Sequence, residues 1–182
     1  MSKFVILDTL LKENQGFLKT SDAVQAGISR AYFGEYVRTR GLERMYVIQV
    51  RYPEAVFSHE TAMYLLNLAD REPLRYSVTL KSGSNTAGLT KQNVKVYKIR
   101  EPLFQEGILQ MDSPAGHLLR VYNPERTLCD LFRSRRNIEI QDLQTAIKEY
   151  LRSKEKNIPL LMRYAKAFSV EKTVRQYLEV LL

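Results

Sequence analysis

Apolar residues recur every three or four positions at the start of the chain, alternate with polar ones in its middle, and return to helical spacing from residue 123 onward. Phe4, Val5, Leu7, Leu10 and Leu11 predict an amphipathic helix with Lys3, Asp8, Lys12 and Glu13 turned outward, ended by Asn14-Gln15-Gly16. Thr20 precedes a second helix as its cap, its hydroxyl able to satisfy a free backbone N–H, and Ala23, Val24 and Ala26 give that helix small apolar contacts. Gly27 ends it, because glycine enters the left-handed conformation without steric cost. Ser29 is then placed to cap a third helix from Arg30, with Phe33, Tyr36, Val37 and Arg40 on its inward edge. Its other face carries Arg30, Ala31, Gly34, Glu35 and Arg38. Gly41 closes that helix, and Leu42 to Ile48 reads as a wing leading into a strand. The whole is the pattern of a winged helix-turn-helix.

Tyr52-Pro53 marks a junction, since proline disfavours helix at the residue before it. The expected domains are therefore 1–52 and 53–182. Beyond the junction, Ser58 can cap a helix running from Thr61 to Ala69. Strands are expected at Arg75–Leu80, Asn93–Ile99, Ile108–Met111 and Leu118–Tyr122, with a polar loop over Lys81–Gly88 and a turn over Asp112–Gly116. Asn123-Pro124-Glu125 is a sharp helix start: asparagine as cap, proline in the first turn, and a carboxylate at the positive end. Leu128, Leu131 and Phe132 form the buried edge of that helix. Asp142–Leu151, Pro159–Phe168 and Glu171–Leu182 complete the series. The expected class is α+β: an N-terminal winged helix-turn-helix, then a mixed α/β C-terminal domain ending in helices.

A helix of this kind enters a DNA major groove, where side chains near its N-terminus meet base edges. The small residues Ala31 and Gly34 let it sit deep, Arg30 and Arg38 can reach bases or phosphates, and Arg44 on the wing can reach the flanking backbone. With Thr20, Ser29 and Tyr32 these make the expected DNA-binding set. A helical hairpin used only for packing or protein contact is the competing reading, and makes the chain a protein-binding adaptor without operator specificity.

Composition changes the picture in one respect. The 182 residues carry 28 Lys/Arg against 20 Asp/Glu, a net charge of +8, which suits a polyanionic partner. Residues 1–50 hold seven of those cations against five acids, so most of the excess lies beyond them, and a DNA-facing surface can extend there. Arg133, Arg135 and Arg136 are the densest basic cluster, either a solvated complement to a helix end or a partner or phosphate surface. The single cysteine, Cys129, excludes an intrachain disulfide and fits a reducing cytosol as a small buried hydrophobe. No apolar run approaches a membrane span, and no signal-peptide core opens the chain, so a cytoplasmic protein without membrane association is expected.

No chemistry of catalysis is evident. His59 and His117 lack partners at metal-ligand spacing, and Walker, dinucleotide and nucleophile-elbow motifs are missing. Lys81-Ser82-Gly83-Ser84 reads as a flexible loop in preference to an anion cradle. Asp112, Glu125 and Asp130 invite a metal-nuclease reading, but Glu125 serves a helix start, and Asp130 follows Arg126 by four, where an ion pair is expected. No enzyme and no cofactor are expected.

Two stretches, in this order, resemble the AbiEi-type antitoxins of bacterial abortive-infection systems. One is the N-terminal unit with Ala26-Gly27-Ile28-Ser29 and Gly41-Leu42-Glu43-Arg44. The other is Val121-Tyr122-Asn123-Pro124-Glu125-Arg126-Thr127-Leu128-Cys129-Asp130-Leu131, similar to a helix start of that family. Met45 precedes Tyr46 where many relatives carry glycine. The resemblance implies a winged-helix domain that represses the protein's own operon by binding operator DNA upstream of it. It also implies a C-terminal domain that counters a nucleotidyltransferase-like AbiEii-type toxin without a stable complex, in phage defence.

Overall fold

The computed structural model describes residues 2–14, 18, 20–39, 44–69 and 71–181, with the side chains of 37–39 excepted. The chain is α+β, with ten helices and one five-stranded mixed sheet among the described residues. It divides into two compact units: Met1–Glu54 with Asp112–Leu119, and Ala55–Met111 with Arg120–Leu182.

In the first unit, α1 (Lys3–Glu13), α2 (Thr20–Gln25) and α3 (Arg30–Thr39) surround a core of Leu7, Leu18, Ala23, Ile28, Phe33 and Tyr36. Two short helices cannot bury enough apolar surface alone, and α1 supplies the third wall. The amphipathic reading of α1 needs two changes. Val5 is 47% exposed, and Asp8 is half-buried, accepting a 2.6 Å hydrogen bond from the Tyr36 hydroxyl. Of the three expected contacts only Ala23 is buried, while Val24 is exposed and Ala26 lies exposed in the turn after α2. Thr20 is the first residue of α2 and not the residue before it.

The expected wing is not a strand where it is described. Arg44–Arg51 forms helix α4, while the Gly41, Leu42 and Glu43 part of that expectation lies outside the described residues. The β-branched and aromatic residues of Tyr46-Val47-Ile48 suggest a strand. The burial pattern decides otherwise: Met45, Ile48 and Gln49 are buried at helical spacing, while Arg44 and Arg51 are exposed.

The second unit is built on the sheet, in the order β3-β2-β1-β5-β4. Its strands are β1 (Val56–Phe57), β2 (Ser77–Lys81), β3 (Lys95–Ile99), β4 (Ile108–Asp112) and β5 (Leu118–Tyr122), of which Asp112, Leu118 and Leu119 at the strand ends count with the first unit. β1 runs antiparallel to β2 and parallel to β5, and β2 runs parallel to β3. The central strand is the shortest, and it escapes the sequence pattern because two residues cannot display alternation. Both are wholly buried.

Helix α5 (His59–Leu65) is shorter than expected, and the Ser58 hydroxyl does not cap it. That oxygen instead accepts from Thr79 Oγ1 at 2.8 Å. A short helix, α6 (Ala87–Lys91), begins inside the stretch read as a polar loop. Helix α7 (Pro124–Arg133) is buried on nearly every side, and packs against α5, α8 (Ile140–Arg152), α9 (Ile158–Ala167) and α10 (Glu171–Leu181). Among the described residues no helix is long and apolar enough to cross a membrane.

Gly107 supports the start of α7. Its φ is +79°, and a Cβ there would lie 2.8 Å from Arg126 Cβ and 3.0 Å from Asn123 Oδ1. Gly107→Ala is expected to destabilise the second unit by about 2–4 kcal/mol, combining left-handed strain with overpacking. A urea titration followed by circular dichroism measures it, and a loss under about 0.5 kcal/mol, the range of neutral surface changes, would contradict this account.

Candidate nucleic-acid interface

The turn between α2 and α3 is closed by two backbone hydrogen bonds. Gly27, at φ +75°, donates its N–H to Val24 O at 3.0 Å, and Ile28 donates to Ala23 O at 2.9 Å. These are the paired bonds of a Schellman ending, accompanied by the apolar contact it favours, since Ile28 and Ala23 share one core. The Ser29 hydroxyl oxygen accepts from the Tyr32 N–H at 3.3 Å and so caps α3. The angle between the two helices is thus set by four consecutive residues, Ala26 to Ser29.

Packing fixes which side of α3 faces out. Phe33 and Tyr36 are buried, and Phe4 of α1 meets the Tyr36 ring edge-on at 5.1 Å. Arg30, Ala31 and Glu35 are exposed. Gly34 is half-buried, and a Cβ added to it would meet nothing within 4 Å, so the surface beside it is open to a close approach. Tyr32 is half-buried and occupied within the unit, its ring meeting Phe4 at 5.8 Å and Lys3 Nζ at 5.3 Å. Thr20 is half-buried, and the Ser29 hydroxyl serves the helix start. Arg38 lies on α3, but its side chain is outside the described residues. Arg44 is exposed as the first residue of α4 and not as part of a wing strand.

The stretch Asp112–Leu119, absent from the expected DNA-binding set, belongs to this unit. It is a tight turn closed by Ser113 N–H to His117 O and Gly116 N–H to Ser113 O, each at 2.8 Å. The His117 ring stacks on Tyr46 of α4 at 4.2 Å. Burial pushes the Tyr46 phenol up to about 12, against a smaller opposing effect from its hydrogen bond with the Leu18 backbone. Only the turn signal of Pro114 and Gly116 was available in the sequence, and nothing local tied it to α4.

In the second unit Arg133, Arg135 and Arg136 are exposed at the end of α7 and in the 3-10 turn Arg135–Asn137. They do not share one task, since Arg135 Nη1 donates to Thr173 Oγ1 at 2.9 Å. Of the carboxylates that suggested a nuclease, two serve the internal structure of the second unit. Asp112 belongs to the first unit, whereas Glu125 and Asp130 belong to the second. Glu125 is buried and accepts from the Tyr150 hydroxyl at 2.9 Å and from Asn157 N–H at 3.2 Å, so it joins α7 to α8 and to the start of α9. Asp130 forms the expected ion pair, with Arg126 Nε at 3.0 Å. Burial pushes its carboxyl up to about 6, with the Arg126 charge opposing. The same burial holds the Cys129 thiol at about 12, which leaves it unreactive.

Arg126 is wholly buried and is the hinge of this network. Nη1 donates to the carbonyls of Leu103 and Glu106 at 2.5 and 2.8 Å, and the guanidinium lies 4.0 Å from the Tyr122 ring centre and 4.1 Å from that of Phe168. The spacing in the sequence predicts its partner Asp130. It carries no sign of the two carbonyls or of Phe168.

No family model matches the chain. No curated protein matches it either. Among solved structures it is similar to the crystal structure of the RV2827C protein from Mycobacterium tuberculosis, at 14% identity and a TM-score of 0.54, over 91% of this chain and 72% of that one. At that identity the likeness concerns the fold.

Proposed function

We propose that the chain is a sequence-specific DNA-binding protein that represses its own operon and serves as the antitoxin of an AbiEi-type pair. The observation that carries the DNA-binding half is the bonded turn at Gly27 leading into α3, whose outer face offers Arg30, Ala31 and an unobstructed Gly34. A groove-reading helix needs a fixed angle to its supporting helix, small residues at the closest approach and cations at the rim, and α3 offers all three. Repression is then steric, by occupancy of an operator that overlaps the promoter.

With residues 44–48 helical, the wing's place falls to the turn Asp112–Leu119, which is part of the same unit. Its exposed Pro114, Ala115 and Gly116 would approach the sugar-phosphate backbone, leaving base contacts to α3. A fragment ending at residue 52 lacks this turn, so the function belongs to the full chain.

The antitoxin half rests on the resemblance of Val121–Leu131 to AbiEi-type proteins. It assigns neutralisation of a nucleotidyltransferase-like toxin to the second unit, with the arginines after Leu131 as its candidate surface. A footprint of the full chain on the DNA upstream of its own gene tests the reading. Protection of one discrete site overlapping the promoter is the expected result. Uniform weak protection, or none, would remove operator binding and leave a protein-binding adaptor.

A further inference from the structure

A cavity of about 240 Å³ opens in the second unit between β3, the start of α5 and the end of α7. Its walls include three cationic side chains, Lys98, Arg126 and Arg133, against one carboxylate, Asp130. Asp130 is engaged through Oδ2 by Arg126 Nε. Arg126 keeps a further donor in reserve, because its Nη2 is buried and has no hydrogen-bond partner. Buried donors are almost always satisfied, so one left open on the wall of a polar cavity points to a missing acceptor.

The hydroxyls around His59 are ordered toward the same cavity. Thr79 Oγ1 donates to Ser58 Oγ at 2.8 Å, which leaves the Ser58 hydrogen for His59 Nδ1 at 3.0 Å. His59 is held neutral: burial lowers its pKa well below the usual value, and the charges of Lys95, Arg126 and Arg133 lower it further. A neutral ring that accepts at Nδ1 carries its hydrogen on Nε2, which donates to Ser134 Oγ at 3.1 Å. Ser134, also on the cavity wall, is thereby left with its own hydrogen to donate. Asn137 adds an amide.

We propose that this cavity is a binding site for the phosphate group of a small molecule. Two exposed cations, a buried guanidinium donor and an oriented hydroxyl match the acceptor-rich surface of a tetrahedral oxyanion, which forms short charge-assisted hydrogen bonds. At about 30 Å³ per water, the volume holds a phosphate together with part of the molecule that bears it. The inference concerns the second unit and is independent of the DNA-binding reading.

The test is equilibrium dialysis of the full chain against radiolabelled inorganic phosphate at constant ionic strength. The variants are Lys98→Ala/Arg133→Ala and Ser134→Ala. Lys98 and Arg133 are exposed, so their replacement leaves the core intact, which circular dichroism checks. Expected are saturable binding to the native chain, at least a tenfold weaker affinity in the double variant (about 1.4 kcal/mol), and a several-fold weaker one in Ser134→Ala. Adenosine monophosphate that competes at lower concentration than phosphate itself identifies a phosphate monoester as occupant, and failure to compete identifies free phosphate. No saturable binding, or undiminished binding by the folded double variant, overturns the proposal.

Discussion

Arg126→Met is expected to lower the unfolding free energy of the second unit by about 3–5 kcal/mol at pH 7, because it leaves a buried carboxylate without its partner. The guanidinium also satisfies two carbonyls and fills the space between two aromatic rings, and methionine replaces only the last of these. The effect carries a pH signature. Burial raises the native Asp130 pKa to about 6 from an ordinary 3.8. For a raised carboxyl, the native state binds the extra proton, so the associated stability is complete below the unfolded value and is lost as pH rises through the native one. Removing Arg126 takes away the charge that opposes this rise, and the native pKa climbs further. The penalty of Arg126→Met is therefore greatest near neutrality and shrinks toward pH 4, where Asp130 is neutral in both proteins. Adding Asp130→Asn should recover much of the loss at pH 7. Unfolding titrations at the two pH values measure this, and an equal penalty at both would show that Asp130 is not the group left uncompensated.

Arg30→Ala is expected to weaken operator binding by about 1–3 kcal/mol through loss of a base or phosphate contact. Gly34→Ala provides the sharper companion, because folding and binding should move in opposite directions. Alanine in a helix interior is favoured over glycine by up to about 1 kcal/mol, and the surface at Gly34 has room for the methyl group. The variant should thus fold as well or better, yet bind the operator at least about tenfold more weakly if α3 lies deep in the groove. Unchanged binding by both folded variants would remove α3 from the interface.

Elements were legible in the sequence where a local signal has a local cause. Asn123 accepts from Arg126 N–H at 2.9 Å, and Pro124 occupies the first turn of α7, as the cap and proline signals indicate. Gly27 and Ser29 mark the bend between α2 and α3 for the same reason, since both act within three residues of themselves. The misreadings arise where tertiary packing decides. Met45 to Val50 is rich in strand-forming residues, yet its burial follows helical spacing. Strand β1 is too short to show a period, and its place at the centre of the sheet comes from pairing with β2 and β5. The phosphate cavity was invisible for a further reason. His59, Thr79 and Lys98 come from three elements and Ser134 from the residue after α7, a spread of 75 positions along the chain, and no spacing rule links them.

The central claim, that this chain recognises one DNA site through its first unit, is tested most directly by titrating the full protein against two duplexes. One is its own promoter region, and the other is a shuffled duplex of the same length and composition. Both are followed by fluorescence anisotropy over a salt series. The account predicts binding to the promoter tighter by about 10³-fold or more at physiological salt, with affinity falling as salt rises for both duplexes. Equal affinities for the two duplexes at every salt concentration would contradict it.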